Sequence, residues 1–362
     1  MKVIVAYAAA GRGHQQAAEA LLTHCRTAYK TTDIEAVDIL KFTNPFFDFL
    51  YSRGYYVVAS HLGFLWQFFF SITYQAPIRR LFNRLSAWGA VKFKRYLIER
   101  NPDVIISTHF FPADISARLK EENKITSRLM TIITDFGVHP LWVTSGCDVY
   151  VVASEATKQE LLTLGVKGEK IKVFGIPIRE GFGRRYQRSN PRFSVLLFTG
   201  SFGFSFIEKI ALALADKVHL WVVCGNNASL YNRLRKKTLA GIELFGFTEE
   251  IPRIMAEVDV VIAKPGGLSI SEALASDRPL IFTRGIPGQE CANERILHEY
   301  GCALTPKNLS EMQEVILQLK DDPDKLESLR AHIQKIKKPL STQEILRYVC
   351  AGASGTADRR PL

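Results

Sequence analysis

The chain is predicted to fold as α/β, with two doubly wound domains facing a cleft. Three features of its 362 residues support this. Compact apolar runs recur, and each leads into a small or Gly-bearing loop and then into apolar residues at helical spacing. Strands alternating with helices in this way imply a parallel sheet covered on both faces. The units fall into two series, and at roughly 150 residues per domain the length accommodates two domains.

In chain order, Val3 to Ala8 reads as the first buried strand, Ala9 to His14 as a loop, and Gln15 to Cys25 as a helix. The N-terminal run is too quickly followed by Gly-Arg-Gly-His to be a signal peptide. The unit recurs at Asp103 to Ser107, Leu129 to Ile133 and Val149 to Ala153. A second series runs through Ser194 to Phe198, Val218 to Cys224, Ile242 to Phe245 and Val258 to Ala263. Between the series, GIPIREGFGRRYQRSNPR (175–192) has five Arg and no apolar periodicity, which marks a domain joint. Residues 1–176 and 192–340 are therefore the expected domains, followed by a terminal helix over 341–350 and a disordered tail over 351–362.

Lys and Arg outnumber Asp and Glu by 47 to 36, a net charge of +11, which favours phosphates, nucleic acid or anionic headgroups as partners. A hydrophobic content of 47% excludes a disordered tail protein. The six cysteines form no Cys-x-x-Cys pair and join no His cluster, so they read as reduced thiols of a cytoplasmic protein with no metal site.

The segment 41–100 breaks the rhythm. It holds 17 of the 39 aromatic residues and nine Lys or Arg against two acids. From Gly54 to Ile78 there is no charged residue, a length that reaches across a bilayer at about 1.5 Å per residue. His61, Gln67, Gln75 and Pro77 interrupt the run, so an interfacial position among anionic lipids is expected rather than a span. The competing readings are ordinary core and a dimer contact.

Several stretches carry chemistry. In VDVVIAKPGGLSISEALA (258–275), a buried strand meets Gly266 and Gly267 at the start of a helix, where backbone amides approach an anion such as a diphosphate. Glu272, about one turn on, suits two vicinal ribose hydroxyls. Gly200 and Ser201 lie in a second glycine loop after the strand ending at Phe198. Gln289, Glu290 and Asn293 form an acceptor and donor set suited to sugar hydroxyls. For each of these the alternative is a plain turn or helix start.

The Gly11-Arg12-Gly13-His14 loop lacks the dinucleotide spacing Gly-x-Gly-x-x-Gly, since position 16 is Gln16. His14 is a candidate general base, and Asp135 in TDFGVHPLW is the second. A capping His14 and a turn-forming Asp135 are the structural alternatives.

Taken in order, GRGH, PDVIISTHFFPA (102–113), TDFGVHPLW (134–142), KPGGLSISEAL (264–274) and PLIFTRGIPGQECANE (279–294) resemble the glycosyltransferase family of monogalactosyldiacylglycerol synthases and processive diacylglycerol glucosyltransferases. More distantly they resemble the transferase that adds N-acetylglucosamine to a lipid-linked peptidoglycan precursor. The resemblance implies a GT-B architecture of two Rossmann-like domains, with the UDP-sugar on the second and a lipid acceptor on the first. It places Gly200 and Ser201 at phosphate, the Phe247 backbone at uracil, Glu272 at ribose, and Gln289, Glu290 and Asn293 at the sugar.

The activity so implied is inverting transfer of galactose or glucose from UDP-galactose or UDP-glucose to diacylglycerol. It would take place at the cytoplasmic face of the cell membrane, with the protein held peripherally by anionic lipids. No cofactor and no essential metal are expected. Asp322-Pro323-Asp324 matches Asp-x-Asp in form only and reads as a helix start. The alternative is transfer of N-acetylglucosamine to a polyprenyl-diphosphate-linked acceptor. A nucleic-acid partner is not expected, because the basic residues of 41–100 stand among Phe and Trp without a recognisable module. A non-catalytic UDP-sugar sensor is the remaining reading.

Overall fold

The computed structural model describes residues 1–9, 11–44, 63–184, 186, 192–198, 204–237, 241–283, 285–286 and 288–351. Its first half contains β1 (Lys2–Tyr7), α1 (Arg12–Ala28), β2 (Asp33–Asp38), α2 (Gly63–Ile72), α3 (Ala76–Gly89), α4 (Val91–Arg100), β3 (Val104–Ser107), α5 (Phe110–Glu121), β4 (Arg128–Ile132), β5 (Val149–Val151), α6 (Glu155–Thr163) and β6 (Ile171–Lys172). The second half contains β7 (Ser194–Phe198), α7 (Phe204–Leu214), β8 (His219–Val223), α8 (Ala228–Arg235), β9 (Ile242–Phe245), α9 (Ile251–Glu257), β10 (Val260–Ala263), α10 (Gly267–Ala275), β11 (Leu280–Phe282), α11 (Gln289–Glu299), β12 (Ala303–Leu304), α12 (Leu309–Asp321), α13 (Pro323–Ile333) and α14 (Ser341–Ala351).

Two six-stranded sheets result, ordered β2-β1-β3-β4-β5-β6 and β12-β11-β10-β7-β8-β9, and each strand pair is parallel. Alternation along β1 sends Ile4 and Ala6 to one face of the first sheet and Val3 and Val5 to the other. Both faces are therefore apolar, as a sheet covered by helices requires. In β7, Leu196 faces one cluster and Val195 and Leu197 the other.

One of these clusters crosses the joint. Ala17, Phe136, Ala153, Ile176 and Ile178 from the first half pack with Leu268, Ile270 and Ile296 from the second. The chain then returns, for Ile345, Leu346 and Val349 of α14 pack beneath Val3 and Val5. Thr342 Oγ1 donates to the Ile178 carbonyl at 2.7 Å and accepts from the Ile178 N–H at 3.1 Å, so the crossover is also hydrogen-bonded. Asp322 caps α13 by accepting from Lys325 N–H, which makes it a helix start.

The described part of the aromatic segment forms the short helices α2, α3 and α4, broken at 73–75 and at Ala90. None of the described helices is long and apolar enough to cross a membrane. Phe64 and Phe68 on α2, and Leu81, Leu85 and Trp88 on α3, are exposed.

Candidate active site

Ligands of open parallel sheets collect beyond the carboxyl ends of the strands where the strand order reverses. That point lies between β1 and β3 in the first sheet and between β7 and β10 in the second. The turns after β1 and β10 meet across a cavity of about 630 Å³ lined from both halves.

Three helices aim their N-termini at it. α1, α10 and α11 start after Gly11, Gly266 and Gly288, and none has a side-chain cap. α5, α6, α8, α12 and α13 are capped by the side chains of His109, Ser154, Asn227, Asn308 and Asp322, while α3, α4 and α9 share the lack of a side-chain cap. Uncapped amides and the positive end of the helix dipole together favour an anion. Arg12, Arg179 and Lys264 bring cationic side chains to the same cavity. Lys264 Nζ stands 3.6 Å from Glu290 Oε1, and burial lowers its pKa while Glu290 opposes the shift.

Glu272 also lines the cavity and is only 3% exposed. Burial pushes its carboxyl up to about 7, with Arg179 pulling the other way. A desolvated acceptor in a cavity wall suits hydroxyl donors better than it suits an empty pocket. Across the mouth, the Arg12 guanidinium lies 5.6 Å above the ring of Phe247, which is exposed and lines the cavity.

His14 sits at the first turn of α1. Its Nδ1 is 2.8 Å from the Thr108 carbonyl oxygen and 2.8 Å from Thr134 Oγ1. A carbonyl can only accept, so Nδ1 carries the hydrogen and Nε2 keeps its lone pair. Burial pushes the imidazole down to about 4, partly offset by the bond to Thr108, so the ring is neutral at neutral pH. The His109 ring meets it edge-on, with centroids 4.6 Å apart.

Asp135 is buried, and burial raises its carboxyl to about 6 even though two hydrogen bonds pull it down. Gln289 Nε2 donates to Oδ2 at 2.7 Å and Asn293 Nδ2 donates to Oδ1 at 3.0 Å. Both donors come from α11, so Asp135 binds the two halves together. Asn293 is fully buried and does not line the cavity. Its Nδ2 donates also to the Pro265 carbonyl, and its Oδ1 accepts from the N–H groups of Phe136 and Gly137 at 2.7 and 3.1 Å. With these bonds made, Asn293 ties the two halves together behind the cavity wall.

Gln289 and Glu290 do line the cavity, and Glu290 Oε2 accepts from Ile286 N–H at 2.5 Å, closing the turn ahead of α11. Gly266 and Gly267 line it too, and a Cβ at Gly267 would stand 2.1 Å from the Thr134 carbonyl oxygen. Gly200 and Ser201 lie outside the described residues. Among the described residues no group of three His, Cys, Asp or Glu side chains is placed to hold a metal ion.

Three cationic residues of the cavity carry no motif signal of their own: Arg179 lies in the domain joint, Arg12 within the GRGH loop and Lys264 at the head of the Lys-Pro-Gly-Gly turn. The five-Arg joint immediately before the second domain was the available signal for Arg179.

The monogalactosyldiacylglycerol (MGDG) synthase family pattern matches residues 14–178, and that of glycosyl transferases group 1 matches residues 194–322. A protein of Staphylococcus carnosus (strain TM300) named processive diacylglycerol beta-glucosyltransferase is 30% identical over 275 residues, covering 72% of this chain and 70% of that protein. One of the same name from Bacillus pumilus (strain SAFR-032) is 27% identical over 372 residues, covering 96% of this chain and 94% of the other. The crystal structure of Acinetobacter baumannii MurG superposes with a TM-score of 0.61 at 14% identity, over 97% of this chain and 99% of that one. The chain therefore belongs to the glycosyltransferase family of the monogalactosyldiacylglycerol synthases and processive diacylglycerol glucosyltransferases, with a GT-B fold.

Proposed function

We propose that the protein transfers a hexose, glucose or galactose, from a UDP-sugar to the hydroxyl of diacylglycerol with inversion. The carrying observation is the convergence of three uncapped helix N-termini on one cavity that also holds His14, whose lone pair is on Nε2. The diphosphate lies at those N-termini, near Gly266 and Gly267 and, by family resemblance, Gly200 and Ser201. Uracil lies by Phe247, the ribose hydroxyls donate to Glu272, and the sugar lies near Gln289 and Glu290. The names of the two relatives favour glucose, and that of the family pattern favours galactose.

In the displacement, the acceptor oxygen bonds to the anomeric carbon as the bond to the β-phosphate oxygen breaks. The bonding pair leaves with UDP, and the hydroxyl proton passes to His14 Nε2. The charge that grows on the diphosphate is met by fixed amides and by Arg12, Arg179 and Lys264, so no essential metal is required. Asp135, with both oxygens accepting from α11, holds the cleft in register beside the base.

The acceptor is drawn from a membrane. Leu81, Leu85 and Trp88 line one exposed stripe of α3 with Arg80 and Arg84 beside them, and Val91, Lys92 and Arg95 continue it along α4. Aromatic and aliphatic side chains interleaved with cations suit an anionic leaflet, which makes the enzyme peripheral at the cytoplasmic face.

The test is UDP release from UDP-glucose and UDP-galactose with diacylglycerol in anionic and neutral liposomes, with EDTA present. Turnover is expected to be higher on anionic liposomes. His14→Ala should lower kcat by about 10²- to 10⁴-fold while UDP still binds, and Glu272→Ala should weaken UDP binding. UDP binding without turnover on either donor would refute the diacylglycerol reading. It would favour a polyprenyl-diphosphate-linked acceptor with UDP-N-acetylglucosamine, or a sensor.

A further inference from the structure

Phe64 and Phe68 stand four residues apart on the outer face of α2 and are 71% and 65% exposed. Phe70 is two residues further on, about 200° around the axis at roughly 100° per residue, and turns into the molecule. There it touches both walls of the cleft. Its ring centroid is 4.4 Å from that of His139, on the loop carrying Asp135. It also packs on Gly288, where a Cβ would lie 2.8 Å from Phe70 Cδ1. Gly288, with φ +89°, immediately precedes Gln289, whose amide holds Asp135.

The end of α2 is tied to the same loop through its backbone. His139 Nδ1 accepts from Leu141 N–H at 3.1 Å, so Nε2 carries the hydrogen and donates to the Phe70 carbonyl at 3.0 Å. Thr73 Oγ1 donates to that carbonyl at 2.9 Å. These two donors meet the Phe70 carbonyl in the last turn of α2. The outer face of α2 therefore connects, through one side chain and one carbonyl, to the loop that carries Asp135 and to the glycine that precedes Gln289.

We propose that Phe70 is the positioning residue through which a lipid surface engaged by α2 orders the Gly288–Gln289 turn, and with it the donor side of the cleft. This rests on the membrane reading above. Burying Phe64 and Phe68 fixes α2, and because Gly288 has no side chain to absorb a shift, the ring bears directly on the turn. Close-packed contacts of this kind transmit displacement rather than cushion it.

Hydrogen exchange at residues 288–293 tests the proposal on the full chain, with and without phosphatidylglycerol vesicles, alongside vesicle co-sedimentation and circular dichroism. Vesicles should slow wild-type exchange there about tenfold. Phe70→Ala should bind vesicles equally and show no slowing, and Phe70→Leu, which refills the contact, should restore most of it. At saturating donor, kcat of Phe70→Ala on vesicles should fall about tenfold with UDP affinity unchanged. If Phe70→Ala loses its circular dichroism signal, Phe64→Ser/Phe68→Ser on the outer face is the second variant. It should keep its fold and lose the slowing even while α3 and α4 still hold the vesicle, and slowing that persists in it would overturn the proposal. Equal slowing in Phe70→Ala and wild type, or vesicle binding by wild type without slowing, overturns the coupling alone. Absence of vesicle binding by wild type overturns the membrane reading and the coupling with it.

Discussion

The Gly266–Gly267 turn of the second half and the Gly11–His14 turn of the first face each other across the cleft. At Gly267 the space a Cβ would need is taken by the Thr134 carbonyl oxygen, 2.1 Å away, with Asp135 Cα at 3.0 Å. At Gly11 no described residue stands within 4 Å of that position, and φ is 176°, extended backbone that any residue adopts. One turn spends its glycine on contact between the halves, while the other keeps room open in the cavity. A glycine at a strand-to-helix turn thus signals close approach, but whether protein or ligand approaches is a property of the assembled cleft.

The largest effect should come from Gly267→Ala. A Cβ against backbone forces the Thr134–Asp135 turn and α10 apart, at a cost of about 3 kcal/mol in urea unfolding, and turnover should be lost. A change below about 1 kcal/mol would show that the halves do not depend on this contact.

Asn293→Ala is next. It strands the Phe136 and Gly137 N–H groups and the Pro265 carbonyl, and removes a donor from Asp135, so unfolding in urea should show a loss of about 2–3 kcal/mol. If stability is unchanged and only the KM for donor rises, Asn293 belongs to the sugar after all.

Glu272→Gln bears on the ligand side of the comparison. The folded carboxyl titrates near 7, above its ordinary value of 4.5, so the unfolded chain gives up the proton more easily. Its contribution to stability is complete below about pH 4.5 and is lost as pH rises through about 7. The Gln variant should therefore be about 1–3 kcal/mol more stable than wild type above pH 7 in the absence of nucleotide, with the gap closing toward pH 5, while binding UDP more weakly. Thermal unfolding across that range, with and without UDP, checks both signs.

The smallest effect on stability should come from Gly11→Ala, within about 0.5 kcal/mol, with a higher KM for donor as its visible consequence. If Gly11→Ala destabilised as much as Gly267→Ala, the distinction between the two turns would fail.

Much of the fold was legible because the interior strands are apolar on both faces. Val3 to Ala6 and Val260 to Ala263 are buried runs that lead into their glycine turns. The strands that went unread are Asp33–Asp38, Ile171–Lys172 and Ala303–Leu304 at sheet edges, which are polar or two residues long, and the three-residue Leu280–Phe282. The candidate site was legible as a set of motifs, but the sequence could not separate Gln289, which lines the cavity, from Asn293, which does not. One turn of helix divides them, and only the Thr134–Gly137 backbone arriving from the other half tells them apart.

By itself the sequence determined that two α/β units exist and which family's motifs they carry in order. Apolar periodicity and turn chemistry are local signals, readable within about ten residues. Only the tertiary structure decided that Thr108, 94 positions away, leaves His14 with its lone pair on Nε2. It likewise decided that Asp135 faces two amides from α11, more than 150 positions on, and that Phe70 turns inward beside two exposed phenylalanines. The physical reason is common to all three. A side chain's protonation, tautomer and role depend on which groups share its desolvated space, and those groups are brought together only when loops of this length close.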